Sequence, residues 1–249
     1  MEKLIIVPDV HGRSFYKDLL NIKDTKIVFL GDYLDPYPDE GISVEEAIAN
    51  FEEILDFARS NKNVKLLLGN HDCGYIWSDV CESRRSYKYY HDIKKMFKDN
   101  MDLFDLVYKT DNCLLSHAGI HKLWFDFSCD MLGVDVDYDK IDVILNNALH
   151  INHGYLSDIL SVYSKYRGWD GSFLGSCVWA DVREWFDTGL TPDNIAEDRK
   201  LNIFQIFGHT QLKEPIITKD FACIDVREYF TLEDNKLTYN KGDYTLWEK

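Results

Sequence analysis

The chain has no excess of positive charge. Forty-three Asp and Glu stand against 28 Lys and Arg, a formal net charge of −15. That field repels polyanions and excludes long-range capture of DNA or RNA as the main task. A small anion is a different case, because a bound metal outweighs the global field at close range. Cys-x-x-Cys pairs are also missing. The six cysteines (Cys73, Cys81, Cys113, Cys129, Cys177, Cys223) are scattered, so zinc-finger spacing is excluded and a disulfide framework is not expected in 249 residues. They read as small core residues. No apolar run approaches the roughly 18 residues that span a bilayer. The short run in "MEKLIIVPDVHG" meets an acid at Asp9, unlike a secretory signal. Internal repeats, low-complexity tracts and Gly/Ser linkers are absent. The expectation is one domain, 1–249, acting in the cytoplasm without a membrane partner.

What is present is alternation. The 45% hydrophobic content and 14% aromatics belong to a folded chain. "KLIIVP" (3–8), "KIVFL" (26–30) and "VKLLL" (64–68) read as buried strands. "SFYKDLLNI" (14–22) reads as a helix, and "SVEEAIANFEEILDFARS" (43–60) as another, opened by a capping box from Ser43 and Glu46. The β-α-β-α-β order predicts a parallel sheet covered on both faces. "NCLLS" (112–116) and "IFQIF" (203–207) repeat the strand pattern. The C-terminal part predicts antiparallel strands with a turn near Glu233–Asn235, and 138–166 predicts a helical insertion.

Each apolar run ends in chemistry. Asp9-Val10-His11-Gly12 follows the first, Gly31-Asp32-Tyr33-Leu34-Asp35 the second, and Gly69-Asn70-His71-Asp72 the third. His117-Ala118-Gly119 and Gly208-His209-Thr210 follow the later two. Strands entering one sheet in the same sense deliver such residues along one edge, where α/β sheets hold ligands. Asp9, His11, Asp32, Asn70, His117 and His209 are more nitrogen and oxygen donors than one tetrahedral ion uses, so two metals are expected.

With DVHG, GDYLD, GNHD, SHAG and GHT in order between 9 and 210, the chain resembles the calcineurin-like metallophosphoesterases. The resemblance implies a four-layer α/β/β/α sandwich and a dinuclear centre that hydrolyses phosphate esters. By position, Asp9 and His11 would hold one metal, Asp32 would bridge, and Asn70, His117 and His209 would hold the other. "SHAG" and "VWADVREW" bring the chain nearest the serine/threonine phosphatase and diadenosine tetraphosphatase branch. Two departures stand out. The Gly-His-x-His of many members is Gly208-His209-Thr210-Gln211 here, and Pro36 and Tyr37 stand where that branch often has an arginine.

Two ions roughly 3.5–4 Å apart acidify a bridging water and neutralise the oxygens of an in-line displacement. The resemblance makes His71 the acid for the leaving group, with Asp35 orienting its ring and favouring the imidazolium. Arg183, in "WADVREW", is the candidate phosphate clamp, since guanidinium matches phosphate in bidentate fashion. An ion pair with Glu184 or Asp187 is its alternative use. Arg167 and then Arg227 follow as candidates, and Asn70 would also touch substrate. The basic stretch "SRRSYKYYHDIKKMFK" (83–98) reads as a solvated helix face, with a substrate cap as the alternative. His150 and His153 read as helix surface, and Cys73 is the cysteine whose oxidation would reach the site.

These expectations amount to a metal-dependent phosphatase that attacks phosphomonoesters with a metal-bridging hydroxide. The alternatives are a phosphodiesterase, a dinucleoside polyphosphate hydrolase, or a non-catalytic scaffold. Manganese is the expected metal, with iron, zinc, cobalt or nickel also compatible. The expected partner is a small phosphorylated substrate or a phosphoprotein.

Overall fold

The computed structural model describes residues 3–77, 80, 83–167, 174–186 and 195–246. Cys81 and Asp187, a suggested partner of Arg183, lie outside them. The chain divides into two compact units, Met1–Phe104 with Arg227–Lys249, and Asp105–Val226. In chain order the elements are β1 (Leu4–Val7), β2 (Lys26–Phe29), α1 (Val44–Ser60), β3 (Val64–Leu67), α2 (Asn70–Ile76), α3 (Tyr90–Asp99) and β4 (Phe104–Asp105). Then come β5 (Val107–Lys109), β6 (Cys113–Ser116), α4 (Lys122–Leu132), α5 (Ile141–His150), α6 (Leu156–Leu160) and β7 (Phe204–Phe207). Last are β8 (Ile216–Ile217), β9 (Phe221–Cys223), β10 (Phe230–Glu233), β11 (Lys236–Tyr239) and β12 (Gly242–Thr245).

A seven-stranded sheet runs β12-β11-β10-β1-β2-β3-β4, and a five-stranded sheet runs β5-β6-β7-β9-β8. β1, β2 and β3 are parallel neighbours, with Ile5 opposite Ile27 and Ile27 opposite Val64. β6, β7 and β9 are parallel in the other sheet. The chain is thus mixed α/β with two sheets. The single sheet edge expected for all five motif strands is corrected, because three belong to one sheet and two to the other. Apolar runs report burial on both faces but do not say which sheet a strand joins.

Other expectations meet local physics. Residues 14–22 form only a 3₁₀ turn, Lys17–Leu19. A helix that short has little stability of its own, and the Tyr16 hydroxyl is drawn to the Asn50 carbonyl and Glu53. Half of the capping box forms: Ser43 Oγ accepts from Glu46 N at 3.1 Å, without the reciprocal bond. The turn before β11 is as expected, with Glu233 opposite Lys236 and both Asp234 and Asn235 left-handed, the pattern of a two-residue hairpin. The stretch 138–166 carries a 3₁₀ turn at Tyr138–Lys140 and the helices α5 and α6.

In the first unit the core is an aromatic stack. Tyr33 lies on Phe51 (centroids 5.1 Å apart), Phe51 meets Phe97 at 4.8 Å, and Phe97 meets Phe104 at 5.4 Å. In the second, Trp185 stacks on Phe207 at 4.8 Å among Val182, Phe186, Ile195 and Phe221. Five cysteines, Cys73, Cys113, Cys129, Cys177 and Cys223, are buried free thiols. No helix among the described residues is long and apolar enough to cross a membrane.

Candidate metal and phosphate site

In the first unit, the loops after β1, β2 and β3 are tied to one another by backbone. The Asp32 carbonyl accepts from Val10 N and His11 N, and the Tyr33 carbonyl from Gly12 N. Asn50, from α1, donates to the Gly12 carbonyl at 2.7 Å. Gly31, at φ +109, lets the second and third loops touch: a Cβ there would meet Gly69 N at 2.4 Å.

The residue that locks these loops is one the motif reading passed over. Asp72 is fully buried. Its Oδ2 accepts from Asp32 N at 2.7 Å and Gly69 N at 2.8 Å, and its Oδ1 accepts from Tyr33 N at 3.1 Å. Burial pushes its carboxyl up to about 7 against those three N–H donors. The signal was present as the last letter of Gly-Asn-His-Asp.

The loops bring His11, Asp32 and His71 together, with one ligand atom of each within 4.8 Å of the others. His11 Nδ1 donates to the Leu34 carbonyl at 2.9 Å, which turns Nε2 toward Asp32 Oδ2 at 3.4 Å and Asp9 Oδ2 at 4.0 Å. Burial holds His11 well below its ordinary pKa and therefore neutral, the form that ligates. Asp32 is raised by burial and then by the neighbouring Asp9 and Asp72 carboxylates. Packing anionic oxygens and an imidazole nitrogen this closely without a cation is unfavourable, so the donor set fits a divalent ion. Asn70, also buried, opens α2 beside them.

His71 Nδ1 lies 2.7 Å from Asp35 Oδ2, and the Tyr75 hydroxyl donates to Asp35 Oδ1 at 2.6 Å. Burial pushes Asp35 up to about 7, opposed by that tyrosine and by Arg84 and Arg85. Arg84 is a second residue the motifs did not reveal. Its Nη2 stands 3.4 Å from His71 Nε2, and its Nε donates to the Asp35 carbonyl. It comes from the basic stretch expected to be a helix face. That expectation suits α3, which buries only Ile93 and Phe97, but not Arg84.

In the second unit, the loops after β6 and β7 place His117 Nε2 3.0 Å from His209 Nδ1. The His117 carbonyl accepts from Gly208 N at 2.7 Å. Gly119, at φ +89, lies against Trp185, where a Cβ would meet the ring at 2.5 Å. The Trp179 indole flanks His209, their rings nearly perpendicular with centroids 5.8 Å apart.

The two candidate arginines of this unit share one carboxylate. Arg183 pairs with buried Asp181 through Nε (2.7 Å) and Nη2 (2.9 Å), while Arg167 Nε reaches Asp181 Oδ2 at 3.1 Å. Arg167 Nη2 also donates to Thr210 Oγ1 at 3.0 Å, next to His209. Burial raises Asp181, but the two guanidiniums outweigh it and leave the carboxyl below its usual range. Glu184, suggested as a partner for Arg183, instead receives His121 Nε2 at 2.9 Å and Gly175 N in the interior. His150 pairs with Asp105 at the surface, the ordinary helix-surface use expected of it.

Comparison with known proteins agrees with this inventory. The calcineurin-like phosphoesterase profile matches residues 3–212. Solved structures that share the fold include the following. A cold-active protein-tyrosine phosphatase from a psychrophilic Shewanella species matches at 18% identity and TM-score 0.60, covering 99% of this chain and 81% of that one. A mutant cold-active protein tyrosine phosphatase matches at 17% and 0.61, covering 99% and 81%. Another structure of a cold-active protein tyrosine phosphatase matches at 17% and 0.60, covering 100% and 79%. Curated proteins give no sequence match. The matched profile spans most of the chain, and every motif within it carries a buried acid, amide or imidazole: the chain belongs to the calcineurin-like phosphoesterase family and is a phosphoric ester hydrolase.

Proposed function

We propose that the protein is a phosphomonoesterase of the serine/threonine phosphatase and diadenosine tetraphosphatase branch. In this reading Asp9, His11, Asp32, Asn70, His117 and His209 hold two divalent ions, manganese first among them, and Asp32 serves both. Such ions, when bound, supply an activated water and neutralise phosphoryl oxygens. The chain's own residues do the rest. His71 protonates the leaving oxygen from Nε2. Asp35 accepts from Nδ1 and fixes the tautomer, and Tyr75 holds Asp35 in place. Asn70, Arg167 and Arg183 contact the phosphate. The 249 residues act as one catalytic domain with 138–166 as a helical insertion, working in the cytoplasm on small phosphorylated molecules.

The observation that carries this reading is the His71–Asp35 hydrogen bond beside the His11–Asp32 donors. A scaffold has no use for a buried, oriented acid. A phosphopeptide is the second substrate class, favoured by the names of the fold relatives. The test is turnover of an aryl phosphate and a bis-aryl phosphate by manganese-loaded protein. The expected result is a clear preference for the monoester; faster diester hydrolysis would move the assignment to a phosphodiesterase, and no turnover of either would leave the scaffold.

A further inference from the structure

Three arginines converge on one tyrosine in the first unit. The Arg84 guanidinium lies 3.9 Å from the Tyr37 ring centroid, Arg13 5.4 Å and Arg227 5.9 Å. Each contact is a cation–π arrangement, but three cations around one ring repel one another. Glu40 offsets part of that repulsion. Its Oε2 takes Arg13 Nε at 2.8 Å, and its Oε1 takes Arg13 Nη2 and Arg227 Nη1, both at 2.9 Å. Both oxygens are then committed. Arg84 meets the Asp35 carbonyl, Ser83 Oγ and His71 Nε2, and among the described residues no side-chain carboxylate bonds its guanidinium. Asp35, whose carboxyl is influenced by the Arg84 charge, has its oxygens on His71 and Tyr75.

The backbone adds an independent mark. Nine described non-glycine residues have positive φ. Four, His11, Asp32, Asp35 and His209, belong to the candidate site. Three, Asn152, Asp234 and Asn235, are residue types that enter this region readily. The remaining two are Arg84 and Arg227, both at φ 65. Arginine gains nothing locally from that conformation, and such strain persists where surrounding structure imposes it, typically at ligand sites.

In this cluster of three arginines Glu40 serves two, and the Asp35 carboxylate near Arg84 is already bonded to His71 and Tyr75; in a chain of net charge −15, such a gathering of guanidiniums suits an anion. Its place is defined: Arg84 faces His71 Nε2, and the Tyr37 ring meets the His11 ring at 5.0 Å. The side of His71 that presents Nε2 is the side where the leaving oxygen would lie. We propose that Arg13, Arg84 and Arg227, arrayed on Tyr37, form a second anion subsite that binds a phosphate-type oxyanion carried by the leaving group. This placement rests on His71 acting as the acid, while the anion site itself does not. The favoured substrate then carries two anionic groups, one cleaved and one held.

Two measurements separate these parts. Titration calorimetry of chelator-treated protein with inorganic phosphate reads the subsite without catalysis. Arg227→Gln and Arg84→Gln should each weaken binding roughly tenfold, the scale of one charged contact, with Arg227→Lys retaining most of it. Manganese-loaded protein is then compared on 4-nitrophenyl phosphate and benzene-1,4-diyl bisphosphate. Wild type should favour the bisphosphate in kcat/KM, and Arg227→Gln should lower that preference roughly tenfold. Phosphate binding unchanged in Arg227→Gln overturns the subsite. Binding weakened with the substrate preference unchanged overturns its place on the leaving-group side. Absence of turnover on both substrates refutes the proposed function and leaves the calorimetry to decide the subsite. Arg227 has a half-exposed side chain, so its variants decide the matter if Arg84→Gln does not fold.

Discussion

Asp35 Oδ2 stands 2.7 Å from His71 Nδ1, and both side chains are almost fully buried. A carboxylate bonded to one imidazole nitrogen fixes the proton there and aims the other nitrogen outward. The second aspartate of Gly-Asp-Tyr-Leu-Asp thus has a different use from the first.

His71→Ala should keep its metal content but lose rate by about 10²–10⁴-fold. The loss should shrink for nitrophenyl esters, whose leaving groups need little protonation. Asp35→Asn should give a smaller loss with the same leaving-group dependence. Rates across a series of aryl phosphates check this, and an equal loss throughout would remove His71 from the acid role.

Chelation should abolish phosphatase activity and added manganese should restore it. Asp32→Asn should be the most damaging ligand change, since the neutral amide cannot balance cationic charge. Elemental analysis with turnover is the measurement. Full metal content and near-normal rate in that variant would show that Asp32 does not serve two ions.

Arg183→Ala should lower kcat/KM for an aryl monoester by about 2–4 kcal/mol, the scale of one preorganised charge contact. A bis-aryl ester carries one charge fewer and should suffer less. Because Arg167 also reaches Asp181, the variant should still fold. Parallel kinetics on the two esters decide the point, an equal loss arguing against the clamp.

His121 gives a pH prediction removed from the metal ligands. Burial lowers its pKa, with Glu184 only partly opposing. Below about 6.5 the unfolded chain therefore binds a proton that the folded chain does not, and stability falls as pH falls. His121→Gln removes that proton while keeping a donor for Glu184. Between pH 6.5 and 5, wild type should lose stability relative to the variant, by no more than about 1.4 kcal/mol per pH unit. Urea titrations at several pH values measure the slope, and parallel curves would count against it.

The site was legible in the sequence to the extent that strand ends carry their chemistry next to the strand. Asp9, Asp32 and His71 could be named because each follows an apolar run within a few residues. Arg84 could not, since it lies 13 residues beyond His71 in the sequence and outside every motif, and only its contacts with Asp35, His71 and Tyr37 reveal it. Asp72 was hidden differently: its work is bonding backbone amides, which leaves no periodic trace. The family resemblance implied two β layers, but which layer each strand joins was not legible in the apolar runs, because pairing partners are set by distant residues. The short turn at Lys17–Leu19 shows tertiary contacts of Tyr16 overriding local preference.

Asp72 also constrains what the chain can become. Its carboxylate gathers amides from two loops separated by some forty residues, so neither loop can be lengthened, shortened or re-aimed alone. A change of one residue in either would pull the other out of register and shift Asp32 with it. Variation toward new substrates is therefore channelled away from these loops, toward side chains such as Arg227 that border the site without anchoring it.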